Sequence, residues 1–315
     1  MGLGLGLGIW WPTQTSIIPG LLKALCARAT YCENKLCTTA TLEEIAAVRY
    51  TAPVLPTGLL ADYPGASAAY SLRNLIDTTT NVVRVRRSSD NTEQDFTSTE
   101  ITDGTLTTFT GANDGFVTTW YDQSGNSNDL SSSSALNQPK IVSVGVLNLD
   151  NSKPYIEYSG NDRSSNGLKS VMSLSNSNGT IFGTYNSNDT GNGLVLGTGT
   201  GGSTFVGAIF NGENSSPSGN VGSPNYYSNG VLLPSATRND LYDNYVVNQD
   251  ALMTILNCSF SAGTSWNTDV VAPYLYGNQS ISHNVKAKEY IIYDSNQSAN
   301  RTGIETNINT EYTIY

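Results

Sequence analysis

The run Phe116-Val117-Thr118-Thr119-Trp120-Tyr121 passes without a break into Asp122-Gln123-Ser124-Gly125-Asn126-Ser127-Asn128-Asp129. Apolar and aromatic residues around two threonines, all favoured in strands, describe a β-strand. The Asp, Ser, Gly and Asn that follow are residues whose side chains bond their own backbone in tight turns. This junction constrains the chain to β structure with built turns, and the rest of the sequence agrees. Further strands are expected over Val82–Arg87, Lys140–Leu147, Pro154–Tyr158, Thr180–Tyr185, Gly193–Leu196, Thr204–Phe210, Leu252–Phe260, Ala272–Tyr276 and Lys286–Tyr293. Short strands between Ser/Asn/Gly/Asp clusters predict a mainly β, two-sheet sandwich of the jelly-roll kind.

Helical spacing is confined to a few places. Ala69, Leu72 and Ile76 predict one helix over Ala66–Ile76, and Ile304, Ile308 and Tyr312 predict a C-terminal helix over about Ser298–Glu311. Residues 1–57 differ in texture. Gly alternates with Leu3, Leu5, Leu7 and Ile9 before Trp10 and Trp11. Short helices are expected over Pro19–Ala29 and from Thr41, where Glu44 completes a capping box. Pro53 and Pro56 mark a linker. The expected organisation is an extended, partly helical segment at 1–57 and a β domain at 58–315. The apolar strip Leu3, Leu5, Leu7, Ile9, Trp10 and Trp11 is read as an assembly anchor seated on another chain; packing against its own domain is the alternative.

Charge excludes one class of partner. Lys and Arg number 16 against 26 Asp and Glu, a net charge of −10, which disfavours phosphate backbones and hence nucleic acid. Arg84 and Arg86 alternate onto one solvated strand face. Cys26, Cys32 and Cys37 lack the paired spacing of zinc sites, and the sole histidine, His283, is far from them, so buried thiols or a local bridge are expected. No stretch is long and apolar enough for a membrane-spanning helix, and no secretory signal is expected, since Lys23 is the first basic residue. Membrane contact by the apolar strip ranks below protein contact, because basic flanks are missing.

A resemblance emerges from Ala68-Ala69-Tyr70-Ser71-Leu72-Arg73, Trp120-Tyr121-Asp122-Gln123-Ser124-Gly125, Gln138-Pro139-Lys140, Lys153-Pro154-Tyr155-Ile156-Glu157-Tyr158 and Glu289-Tyr290-Ile291-Ile292-Tyr293. In this order, over about Gly58 to Tyr315, they resemble the concanavalin A-like (laminin G-like) domains of bacteriophage structural proteins. They are also similar, more distantly, to the catalytic domain of fungal α-L-arabinofuranosidases. The first resemblance implies a virion protein, assembled in the host cytoplasm and displayed on the phage particle as a spike, fibre head or decoration. Its implied partners are other virion proteins through residues 1–57, further copies of itself as a trimer or pentamer, and host-surface glycans.

The second resemblance implies a carboxylate pair, since glycoside hydrolysis uses one carboxyl as acid and another as nucleophile or base. The arabinofuranosidases place these in an Asp-x-Glu strand and a Gly-Gly-Asp turn. Here the matching segments read Phe205-Val206-Gly207-Ala208-Ile209-Phe210-Asn211-Gly212-Glu213 and Gly277-Asn278-Gln279-Ser280, with no such carboxylates. The expectation is therefore a protein that is not an enzyme. The alternative is a depolymerase or glycosidase using some pair among Glu157, Asp162, Glu213 and Asp243; a purely structural capsid role is a third. Glycan contacts are expected in two loops, through Tyr226, Tyr227 and Asn229 and through Trp266 and Asn267. Asp122, Ser124, Asn126 and Asn128 alternate like a calcium loop, but Ser133 stands where the bidentate Glu belongs. A self-bonded turn is the competing reading, and no other cofactor is expected.

Overall fold

In the computed structural model, the described residues are 57–158, 167–172, 174–187, 193–198, 205–209, 211–219, 221–247, 250–260, 270–271 and 285–315. Expectations for residues 1–56, Asp162, Trp266, Asn267, the strand Ala272–Tyr276, the Gly277–Ser280 turn and His283 lie outside them.

The described chain is mainly β. Six antiparallel strands form one array in the spatial order Ala68–Ser71, Glu289–Tyr293, Gly179–Ser187, Ala251–Cys258, Asn225–Ser228 and Val231–Leu233. A second runs Glu93–Phe96, Val83–Arg87, Gly115–Trp120, Lys140–Ser143, Ile156–Tyr158 and Val285–Ala287, again antiparallel. The two join because the end of Gly179–Ser187 leaves Glu289–Tyr293 and pairs with Val285–Ala287. At Lys288 the chain crosses between the arrays.

Residue alternation explains where the core lies. In Glu289–Tyr293 every residue is buried. Tyr290 and Ile292 enter one apolar cluster with Tyr70, Trp120 and Tyr185. Ile291 and Tyr293 enter another with Phe182, Leu252 and the helix residues Ile304, Ile308 and Tyr312. The helix Arg301–Tyr312 thus covers the second face of the first array, so its central strands are apolar on both sides. Trp120 lies among aromatics, 5.8 Å from the Tyr70 ring and 6.3 Å from that of Tyr290.

Several expectations are corrected. Ala68–Ser71 is a strand, not part of a helix. Its backbone pairs with Glu289–Tyr293 on one edge, and on the other edge the Asp122–Asn128 loop supplies partners that a helix would not need. Lys140–Leu147 breaks into two strands at Val144 and Gly145, both with positive φ. Asn225–Asn229 is not a loop: Asn225–Ser228 is a strand, and only Asn229 (φ 50) and Gly230 (φ 77) form its turn. Two positive φ angles at Asn-Gly are what a tight hairpin requires. The C-terminal helix and the strand before the Asp122 loop are where expected. Cys258 is a buried free thiol. Among the described residues no helix is long and apolar enough to cross a membrane.

Candidate functional site

The Asp122 loop is a brace for the edge of Ala68–Ser71. The Asp122 carboxylate accepts bonds from the backbone N–H groups of Ala69 (2.8 Å), Ser124 (2.9 Å) and Asn128 (3.0 Å) and from the Ser124 hydroxyl (2.8 Å). Asn126 and Asn128 turn their amide N–H groups toward the Ser67 carbonyl. Gln123, 7% exposed, donates to the carbonyls of Ser71 and Arg73 and accepts from the Leu75 N–H. With its carboxylate already accepting four donors, the loop has the geometry of the self-bonded turn. A cation would have to displace those donors, and no group of three or more His, Cys, Asp or Glu able to hold a metal occurs among the described residues.

A cleft of about 460 Å³ opens at the other end of the first array. One wall is the segment Asn214–Ser218; the other is Leu232–Thr237, which follows the Asn229-Gly230 turn. Arg238 ties the walls together. Its backbone N–H donates to the Ser215 carbonyl (3.1 Å), its Nε to the Ser216 carbonyl (3.0 Å), and its Nη1 pairs with Glu213 at 2.8 Å. Thr237 caps the helix Arg238–Tyr242 in a reciprocal box with Asp240. The lining is hydroxyls and amides interleaved with proline and leucine carbons, and among the described residues no charged side chain belongs to it.

Glu213 adjoins the lining residue Asn214. The backbone N–H of Asn239 donates to the Glu213 carbonyl (2.9 Å), and its side-chain amide donates to the Asp243 carboxylate (2.9 Å). Asn239 thus touches the Asp243 carboxylate but only the backbone of Glu213, whose carboxylate is paired with Arg238. Glu157 is on a different strand, opposite Lys140 and Lys286.

Of the expected glycan contacts, Tyr226 lines the cleft but is only 3% exposed, so it shapes the floor instead of offering a stacking face. Burial pushes its hydroxyl pKa up. Tyr227 has the Arg301 guanidinium 4.4 Å from its ring centre, and the Asn229 side-chain oxygen is taken by the Leu252 N–H. Neither lines the cleft.

Sequence reasoning missed two charged clusters. Lys288, with a side chain 2% exposed, reaches Asp150 (2.5 Å) and Asp250 (3.5 Å), while Lys286 reaches Asp150 at 3.1 Å. Burial acts to raise the Asp150 pKa, but its bonds to Lys288 and Lys286 outweigh this and hold it low. Such neutralised carboxylates staple the segment around Asp150 to the core and are poor proton donors. The second cluster is Glu289, fully buried and paired to Arg73. From sequence, a carboxylate inside the last strand faces solvent or pairs across the sheet; the structure has it across the sheet, Ser71 standing opposite Glu289.

Comparison with known proteins finds no matching family model and no matching curated protein. Among solved structures, a GH54 α-L-arabinofuranosidase soaked with a cyclic sulfate inhibitor matches with a TM-score of 0.44 at 13% identity, over 77% of this chain and 62% of that one. An arabinofuranosidase complexed with arabinofuranosyl-α-1,2-xylobiose matches with a TM-score of 0.42, at the same identity and coverage. The chain thus spans less than two thirds of the structures it matches. The expectation that the protein is not an enzyme is corrected, since the structures found are glycoside hydrolases.

Proposed function

We propose that this chain is a carbohydrate-active β domain. The cleft between Asn214–Ser218 and Leu232–Thr237 takes a neutral saccharide, and Glu213 and Asp243 are the carboxylates that act on it. The observation that carries this reading is the lining itself. Neutral hydroxyls and amides interleaved with apolar carbons match a sugar, whose hydroxyls and C–H faces alternate in the same way. Glycoside hydrolysis uses two carboxyl groups, and Glu213 and Asp243 both contact Asn239, Glu213 through its backbone carbonyl and Asp243 through its carboxylate.

The test is cleavage of neutral polysaccharides followed by reducing-end release. Glu213→Gln and Asp243→Asn are each expected to lower turnover by about 10²-fold or more while leaving saccharide binding in place. Ser218→Trp, which fills the cleft, is expected to remove both. Cleavage untouched by both carboxylate variants would overturn their assignment, and saccharide binding untouched by Ser218→Trp would overturn the cleft.

As a setting for this activity we propose a bacteriophage particle, with residues 1–57 attaching the domain and several copies adding their weak glycan contacts through avidity. Its support is the sequence resemblance over residues 58–315 and the apolar strip from Leu3 to Trp11. Deleting Met1 to Pro12 should leave a folded domain that no longer enters particles. Particles that still carry the shortened chain would refute the attachment role.

A further inference from the structure

A second cavity, of about 340 Å³, lies between the Ser98–Thr102 helix, the Ser152–Pro154 segment and the end of the C-terminal helix at Glu311 and Tyr312. Arg73 lines it. A guanidinium has five N–H donors. Here Nε donates to Glu289 (2.8 Å), and Nη2 donates to both Glu289 (3.0 Å) and Asn307 (2.8 Å). That accounts for three donors. The two on Nη1 have no partner among the described residues, and Nη1 is not among the buried polar atoms left unpaired. The unspent donors therefore belong to the uncovered part of a side chain that is only 21% exposed.

The charges around the cavity are unequal in what they present. Glu289 is fully buried, so its charge is spent behind Arg73. Lys153 has three N–H donors and gives one to Glu311 at 2.6 Å. The lining thus carries two cations, Arg73 and Lys153, and one carboxylate, Glu311. Glu289 offsets the Arg73 charge from behind, so what the cavity offers an anion is the unspent N–H donors and not a net positive charge. Ser98, Thr99, Thr102 and Ser152 add hydroxyls to the same lining.

We infer that this cavity is a binding pocket for a small polyhydroxylated carboxylic acid of the uronate class. The ligand carboxylate sits on the free Nη1 donors of Arg73 and on Lys153, because charge-assisted bonds to arginine favour planar carboxylates. The ligand hydroxyls meet the serine and threonine hydroxyls. The inference does not depend on the neutral cleft: the two cavities share no lining residue.

Calorimetric titration of the full chain with glucuronate, glucose and sulfate tests it. Glucuronate is expected to bind saturably and at least about tenfold more tightly than either of the others. Arg73→Lys keeps a cation against Glu289 but removes the free fork, and should weaken glucuronate by about tenfold. Thr99→Trp fills the cavity from an exposed position and should abolish binding, while Ser218→Trp in the other cleft should leave it unchanged. Glucuronate binding no tighter than glucose would overturn the proposal, as would binding that survives Thr99→Trp. Sulfate binding as tightly as glucuronate would overturn the sugar-acid assignment. If Arg73→Lys does not fold, Thr99→Trp decides alone.

Discussion

Replacing Glu289 by alanine is expected to cost about 3–5 kcal/mol of folding stability, the usual loss when one partner of a buried ion pair is removed. The carboxylate accepts from Arg73 Nε and Nη2, from the Ser71 hydroxyl at 2.9 Å and from the Tyr312 hydroxyl at 3.1 Å. Burial works against the charge on Arg73, and Glu289 more than compensates for it. Alanine would leave that guanidinium largely enclosed with an uncancelled charge, and would leave the Ser71 and Tyr312 hydroxyls only each other at 3.2 Å and, for Tyr312, the Lys288 carbonyl at 3.5 Å. Urea unfolding should show a lower midpoint with an unchanged slope, because the surface exposed on unfolding stays the same. The double variant Arg73→Met, Glu289→Leu should recover most of the loss, since apolar residues of similar volume replace buried ion pairs at little cost. A loss below about 1 kcal/mol in Glu289→Ala would mean that the pair behaves like a surface salt bridge and that its burial does not matter.

The same residue shows how far the sequence is legible. The strand Gly115–Trp120 is readable because Phe116, Val117, Thr118, Thr119 and Trp120 are all residues favoured in strands and turn residues follow at once. The C-terminal helix is readable because Ile304, Ile308 and Tyr312 recur at helical spacing on an otherwise polar segment. Ala68–Ser71 misleads because all four residues are buried. A strand covered on both faces loses the alternation that identifies it, and Ala69, Leu72 and Ile76 then imitate a helix face. Glu289 is legible in part. A lone carboxylate beside Tyr-Ile-Ile-Tyr suggests an outward or a cross-strand position, and it is cross-strand to Ser71, but its charge partner Arg73 is 216 residues away and nothing local announces it. The cleft is hidden for a related reason. Its two walls are assembled by Arg238 reaching back to Glu213 and Ser216, so Tyr226 can be singled out by residue type, but its place in the floor of the cleft follows only from that contact. Chemistry carried by contacts between distant segments leaves a residue-type signal in the sequence but no spacing signal.

Alkaline titration should unfold the domain cooperatively, and tyrosine ionisation should follow unfolding instead of preceding it. Tyr185, Tyr245 and Tyr290 are fully buried, and burial pushes each phenol above its ordinary pKa of about 10. The Tyr245 hydroxyl donates to the Tyr227 carbonyl at 2.9 Å, whereas those of Tyr185 and Tyr290 have no partner among the described residues. Half-buried Tyr121 donates to Asp95 at 2.7 Å; desolvation first, and then that carboxylate, push its pKa up to about 12. The sign follows from linkage. A phenol whose pKa is raised in the folded state holds its proton where the unfolded chain has released it. Its contribution is fully present below the unfolded pKa of about 10 and is lost as pH rises toward the folded value. Each buried phenol then removes about 1.4 kcal/mol per pH unit above that point. Three such groups act in parallel, so the loss is steep enough to exhaust a typical margin of about 5–15 kcal/mol within a few pH units. Tyrosinate absorbance and far-ultraviolet circular dichroism recorded together against pH should move in a single step. Tyrosinate rising to its full amplitude while the dichroism stays native would show that these phenols reach water in the folded state, and that the aromatic core around Trp120 is open.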